Sequence, residues 1–188
     1  MPKITHPEKI KGTSVLLRKI KLSDTTTIFK KFHRPEILKW MLFQPPKGFK
    51  IKDQEDWIKK IIAKSKKHGI YIFGITIPGN NEVIGIISID KINWKNLSGQ
   101  IGYWLAKEHW GKGIIPEAVK MILTFAFKKI KLHRVYGAVF EKNLKSRRVL
   151  EKCGFSHEGI TRESEFRYNR WHNKIRYGIL SHEFKKIK

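Results

Sequence analysis

Three stretches of this 188-residue chain carry residues whose types and spacing suit chemistry. The first is Trp110-Gly111-Lys112-Gly113-Ile114-Ile115-Pro116. A strand-like segment, Gln100 to Ala106, precedes it. A helical pattern, Pro116 to Ile130, follows it. In that order, successive main-chain N–H groups point outward and the helix dipole adds positive potential, which suits a pyrophosphate. Glycine lets a phosphate approach without a Cβ in the way, and Lys112 adds charge. A Gly-Lys-Gly turn alone is also what a tight strand-to-helix connection looks like. It matches neither the dinucleotide fingerprint nor a Walker A loop.

The second stretch is Asn143 with Ser146, at the start of a helix predicted over Lys145 to Lys152. Both suit capping. Helical spacing also groups Ser146 with Val149, Leu150 and Cys153 on an inner face, where a hydroxyl needs a partner. Arg147, Arg148, Glu151 and Lys152 are expected to point outward. The third stretch is Arg162-Glu163-Ser164-Glu165-Phe166, in a predicted strand. Its carboxylates can be exposed charges paired with lysines, and alternation puts Glu163 and Glu165 on one face.

These groups need elements to hold them. Val15 to Ile20 reads as a strand, and Ser23 or Asp24 caps a helix after it. A short helix is expected from Pro35 to Leu42, then a loop at Pro45 to Gly48. Asp53 opens another helix, with Trp57, Ile58, Ile61 and Ile62 on one face. Ile70 to Ile77 and Glu82 to Asp90 flank Pro78-Gly79-Asn80-Asn81 as a hairpin. Arg134 to Phe140 is a strand. Gly154 ends the following helix. Two final strands, near Phe155–Tyr168 and Lys174–Phe184, meet at Asn169-Arg170. The expectation is one α/β domain over residues 1–188, with a core at about 14–184. Its mixed sheet has about seven strands flanked by helices.

Composition sets limits. Hydrophobic residues make up 40%, enough for a packed core. Cys153 is the single cysteine, so no internal disulfide is possible. Its place on an inner face suits core packing better than nucleophilic attack. His33, His68, His109, His133, His157, His172 and His182 form no compact ligand pattern, and no metal is expected. No segment approaches the roughly 18 apolar residues of a membrane span. A cytoplasmic protein, without membrane attachment and either monomeric or homodimeric, is the default expectation. Forty Lys and Arg against sixteen Asp and Glu give +24. Such a field attracts polyanions such as RNA or ribosomes. The lysines are spread over the whole chain, however, and their abundance together with isoleucine also fits a biased genome composition.

Ile101-Gly102-Tyr103-Trp104-Leu105 through Ala118 resembles the acetyl-CoA motif of the GNAT acetyltransferases. The branch is the one that includes the ribosomal-protein N-terminal acetyltransferases. Asn143-Leu144-Lys145-Ser146, Leu150 to Phe155, and Leu17-Arg18 with Asp24 extend the likeness over roughly residues 14–184. The resemblance implies a GNAT fold and acetyl-CoA as cosubstrate. The main chain at Trp104 and Leu105 would pair with the pantetheine arm. Trp110, Gly111, Lys112, Gly113, Ile114 and Ile115 would hold the pyrophosphate. Asn143 would contact the pantetheine, and Ser146 would protonate the departing thiolate. Glu165 would face the acceptor amine, as base or as orienting group. Trp40, Phe43, Phe49 and Tyr168 are candidates to line the acceptor site, and Trp40 and Phe43 suit core packing equally. Two positions depart from the motif. Trp110 stands where Gln or Arg is usual, although Trp is familiar in this branch. Ile115 stands where Gly or Ala is preferred, so the helix start is expected slightly away from the pyrophosphate.

The expected activity is direct acetyl transfer to a primary amine, foremost a protein N-terminal amine such as that of a ribosomal protein. Polyamines and amine-bearing antibiotics are alternative acceptors. A non-catalytic RNA- or ribosome-binding protein of the same fold is the alternative from another class. The charge itself makes a prediction: a filter-binding assay should show nonspecific RNA affinity that falls steeply between low and moderate salt. A flat salt response would show that the field recruits no polyanion.

Overall fold

The computed structural model describes residues 5–65 and 69–184, so His68 lies outside the described residues. The chain begins with strands β1 (Lys9–Lys11) and β2 (Leu16–Arg18). A single 3-10 turn at Leu22–Asp24 leads into helices α1 (Thr25–Phe32), α2 (Pro35–Leu38) and α3 (Ile51–Ser65). Strands β3 (Tyr71–Ile77), β4 (Asn80–Asn93) and β5 (Ser98–Leu105) follow. Helix α4 (Ile114–Phe125) continues into a π turn at Ala126–Ile130. Then come β6 (Arg134–Phe140), α5 (Leu144–Lys152), β7 (Ser156–Arg167), β8 (Arg170–Leu180) and the short α6 (Ser181–Phe184).

The strands form one sheet in the order β1-β2-β3-β4-β5-β6-β8-β7. Every pairing is antiparallel except β5 with β6. The sheet thus has eight strands, one more than expected. The addition is β1, a three-residue Lys-Ile-Lys edge strand too short and too basic to show a periodic signal. The helix at Pro35 stops at Leu38, short of the expected Leu42. The last strand ends at Leu180, and residues expected to extend it coil into α6.

Alternation along the strands feeds two cores. Ile72, Ile86 and Trp104 face α1–α3, where they meet Ile28, Phe32, Ile58 and Ile61. Tyr71, Phe73, Ile87, Ile89, Ile101 and Leu105 face α4 and α5. There they pack on Val119, Ile122, Leu123, Leu150 and Cys153. Phe125 packs edge-on against both Tyr71 and Phe73. Each fully buried aliphatic side chain contributes roughly 1.5–3 kcal/mol relative to exposure. The helices are therefore held by the sheet rather than by their own propensities.

A buried ion pair fixes the first turn. Arg18 reaches Asp24 with two hydrogen bonds, 2.7 and 2.9 Å long. Asp24 also accepts from the Lys21 main chain at 2.8 Å. Its carboxylate therefore caps the 3-10 turn and locks it to β2. On the other face, Glu117 of α4 accepts from the Thr13 and Ser14 main-chain N–H groups at 2.6 and 2.9 Å. This anchors the loop before β2 to the first turn of α4.

Gly85 on β4 lies opposite Leu105, and a Cβ there would collide with the Trp104 carbonyl oxygen. Overpacking of this kind costs roughly 1–3 kcal/mol. For a domain of this size each kcal/mol is worth about 2–4 °C in Tm. Gly85→Ala should therefore lower the calorimetric Tm by several degrees. An unchanged Tm would show that β4 and β5 can separate freely at this point.

Candidate active site

The site starts from how β5 shares its hydrogen bonds. The Arg134 N–H donates to Leu97 O at 3.1 Å, so odd-numbered residues of β5 turn their main chain toward β6. The parallel pairing covers only Ser98↔Arg134, Gly99↔Val135 and Gln100↔Tyr136. β5 nevertheless runs on to Leu105 and β6 to Phe140. The two strands splay apart, and the Tyr103 and Leu105 main chains face the opening. Trp104 is registered with Ile86 across the β4 pairing. Alternation thus turns its peptide groups toward β4 and its indole toward α1–α3. The open edge belongs to Tyr103 and Leu105, where the resemblance implied Trp104 and Leu105.

At the outer end of the opening, Gly111 and Gly113 adopt φ of 78° and 74°. Both lie in the left-handed region that favours glycine. Gly113 sits at the N-cap of α4, so the Ile114 and Ile115 amides begin the helix without intrahelical acceptors. Lys112 is exposed beside them. Trp110 braces the turn: its Nε1 donates to Leu105 O at 2.8 Å, and Lys145 Nζ lies 4.5 Å from its ring centre. Ile115 is buried in the α4 core, which accommodates its branched side chain.

At the inner end stands α5. Asn143 Oδ1 accepts from the Ser146 N–H at 3.2 Å, so Asn143 is the helix cap. Ser146 Oγ lies 2.8 Å from the Tyr103 hydroxyl. Burial pushes the Tyr103 pKa well above its ordinary value, which keeps its proton in place. Tyr103 lies within the Ile101–Ala118 segment, yet neither its spacing nor the resemblance marked it for a role. The signal was alternation: residues 101, 103 and 105 share the α5-facing side, and a phenol there needs a partner. Cys153 is fully buried, with its pKa pushed up to about 11 by burial, so it is a core residue and not a thiolate nucleophile. Arg147, expected to point outward, instead folds onto the Tyr177 hydroxyl and Glu141 O.

A cavity of about 740 Å³ opens behind the splayed strands. Asn143, Ser146, Tyr103, Trp104, Leu105, Trp110 and Ile115 line it on the side of the splayed strands. Trp40, Phe43 and Phe49 line its other wall. Tyr168 and Glu165 do not border it. Tyr168 is 62% exposed and accepts a hydrogen bond from Gln44 Nε2 at 3.0 Å. With Arg167, which donates to Met41 O, it clasps the β7–β8 hairpin onto the loop that walls the cavity. Gly111, Lys112 and Gly113 lie outside the cavity rim.

Glu165 is held by two cations, Lys174 at 2.6 Å and Arg167 at 3.1 Å. The Lys174 hydrogen bond and charge, followed by Arg167, hold its carboxyl below the ordinary range. Glu163 does not simply share its face. A register shift lies between Thr161 and Glu165, and Glu163 sits at φ 46°. Among the described residues no three His, Cys, Asp or Glu side chains group as metal ligands. No described helix is long and apolar enough to cross a membrane.

A mixed sheet that splays at its one parallel pair, with a glycine turn and a helix N-terminus at the mouth, defines an acyltransferase scaffold. The family model for the acetyltransferase (GNAT) domain matches residues 14–156, and the chain belongs to this family of N-acetyltransferases. The family uses acetyl-CoA. The chain is 32% identical over 158 residues to the probable N-acetyltransferase YjcK of Bacillus subtilis, covering 82% of this chain and 87% of that one. It is 30% identical over 102 residues to a spermidine N(1)-acetyltransferase of Vibrio cholerae, covering 54% and 59%. Among solved structures, the ribosomal-protein-S5-alanine acetyltransferase of Vibrio fischeri superposes with a TM-score of 0.83 at 25% identity, covering 94% of this chain and 98% of that one.

The Glu165 pairing has a measurable sign. Its folded pKa is depressed, so the stability it contributes is present above its unfolded value and is lost as pH falls through the folded value. Lys174→Met should raise the Glu165 pKa in an NMR titration and shrink that acid-side loss. An unmoved Glu165 titration would rule out Lys174 as its main partner.

Proposed function

We propose that this chain transfers acetyl directly from acetyl-CoA to a primary amine, with a protein N-terminal amine such as that of a ribosomal protein as the acceptor. The observation that carries the reading is the Tyr103–Ser146 pair beside the splayed β5 edge and the aromatic-lined cavity, with the Gly111–Gly113 turn and the α4 N-terminus just beyond the rim. The likeness to the Vibrio fischeri ribosomal-protein acetyltransferase supports this acceptor class. The Ile114 and Ile115 amides, with Lys112, would hold the pyrophosphate. The pantetheine would add to the free edge of β5 as a short strand. The neutral amine attacks the thioester carbon, the N–C bond forms and the C–S bond breaks. Tyr103, keeping its proton, donates to Ser146 Oγ and leaves the Ser146 proton free for the departing sulfur. The proton lost by the amine passes to solvent, and solvent returns one proton to Ser146 Oγ, so the enzyme ends in its starting state.

Glu165 shares its charge with Lys174 and Arg167, which weakens it as a proton acceptor. In this reading it orients the hairpin and the incoming chain. A second acceptor class, a polyamine, is favoured by the two carboxylates on the cavity wall, Glu36 and Asp90. They offset the general positive field locally.

Acetyl-CoA should raise Tm with the logarithm of its concentration once that exceeds Kd. Gly113→Asp should abolish that shift, whereas Gly113→Ala, with the same backbone strain and open space for its Cβ, should keep most of it. In a coenzyme A release assay on N-terminal peptides, polyamines and aminoglycosides, Ser146→Ala should lower turnover without recovery at high pH. Glu165→Gln should cost less than the roughly 100-fold that marks the low end of general-base catalysis. Binding of acetyl-CoA without release on any amine would favour the non-catalytic alternative. A larger Glu165→Gln loss that shrinks at high pH would restore Glu165 as the base.

A further inference from the structure

Asp90 stands out among the polar groups of the cavity. It borders the acceptor side, registered across from Gln100, with Ser88 on the same face of β4. Among the described residues its Oδ1 is buried with no hydrogen-bond partner. Its Oδ2 meets only the Ser88 hydroxyl, at 3.3 Å. A buried carboxylate oxygen left unmatched is expensive, because it loses water and gains nothing in exchange. Native folds keep such groups where a ligand or another function supplies the missing donor.

The backbone aims this side chain. The β4–β5 register shifts between Asp90 and Asn93, and Lys91 next to Asp90 adopts φ 46°. A bulge with a non-glycine residue in the left-handed region carries a local cost, and bulges re-aim side chains beside functional sites. Asp90 lies at the closed end of the splay, where β5 still pairs with β6 through Gln100. The reacting end of a pantetheine on the Tyr103 edge would lie farther along the same strand. An acceptor held between them would place its amine near Ser146 and its neighbouring atoms toward Asp90.

We infer that Asp90 is a specificity-determining residue, accepting a hydrogen bond from a second donor group, hydroxyl or ammonium, that the acceptor carries a few bonds from its reacting amine. The inference rests on the proposed acetyl-transfer reading and deepens it. Ser88 and Gln100 set the direction of the donor, while Trp40, Trp57 and Trp104 enclose the intervening carbons. Burial already raises the Asp90 pKa, partly opposed by the Ser88 hydrogen bond and the Lys91 charge. A donor arriving from the cavity would meet that unmatched oxygen after a turn of the carboxylate.

The test compares n-propylamine, 3-aminopropan-1-ol and 1,3-diaminopropane, which share a chain length and differ in the second group. Binding to the coenzyme A-loaded protein is read by tryptophan fluorescence, so it needs no turnover. A hydrogen bond to a charged group is worth roughly tenfold or more in affinity. The aminoalcohol or the diamine should therefore bind at least about tenfold tighter than propylamine, and whichever arm does so identifies the donor. In Asp90→Asn and Asp90→Ala, shown folded by their melting curves, that ratio should fall to within about twofold of unity. In the unaltered protein, the Asp90 carboxyl carbon resonance should shift on adding the preferred amine. Equal affinities for all three amines, no binding of any, a ratio that survives both substitutions, or an unmoved Asp90 resonance would each overturn the proposal. Failure of acetyl transfer itself would appear separately, as absence of coenzyme A release.

Discussion

A strand in the middle of a sheet has two edges, and whatever one edge does not give to a neighbour it can give to a ligand. β5 meets β4 along its full length but meets β6 over three residue pairs. The rest of the site depends on this unequal sharing. The antiparallel side keeps β5 rigid, and the short parallel side lets β6 turn away without breaking the sheet. A fully paired β6 would leave no main-chain donors for a cosubstrate. An unpaired one would leave β6, β8 and β7 detached from the core that holds α4.

The two ends of the opening are stabilised by different means. The mouth is a backbone device: two glycines at positive φ and a helix start, with Trp110 tying the turn back to β5. The inner end is a side-chain device. Asn143 caps α5, and the Tyr103–Ser146 pair spans the gap between helix and strand. Tyr177 adds a second tie, its hydroxyl donating to Glu151 at 2.7 Å, so α5 is fixed to β8 as well as to β5. The helix that carries the proposed acid and the hairpin that clasps the loop walling the cavity are thereby parts of one frame.

Much of this was legible in the amino-acid order because it is local. Asn143 and Gly154 bracket α5 by their own conformational preferences, and the Gly111–Gly113 turn follows from glycine's freedom. Ile58 and Ile61 reveal their burial through a 3.6-residue period. What stayed hidden depends on register. Asp90 is one of two carboxylates in an isoleucine-rich strand, and only the pairing with β5 and the bulge at Lys91 show that it borders the cavity with one oxygen buried. The cations around Glu165 come from Lys174 across the strand pair and from Arg167, brought together past a register shift that alternation does not describe. Tyr168 reads as a pocket aromatic from its neighbourhood, yet it latches a loop from outside.

One contact made far from the chemistry bears on the anion site. Glu117 places a carboxylate in the first turn of α4, near the end where a pyrophosphate is expected. A bare negative charge there suits the helix dipole but competes with any incoming anion. The Thr13 and Ser14 amides occupy that carboxylate and draw its charge toward the opposite side of the helix. The loop before β2 thus works as a local neutraliser: a segment that touches no reacting group sets how much of the α4 dipole is left for phosphate.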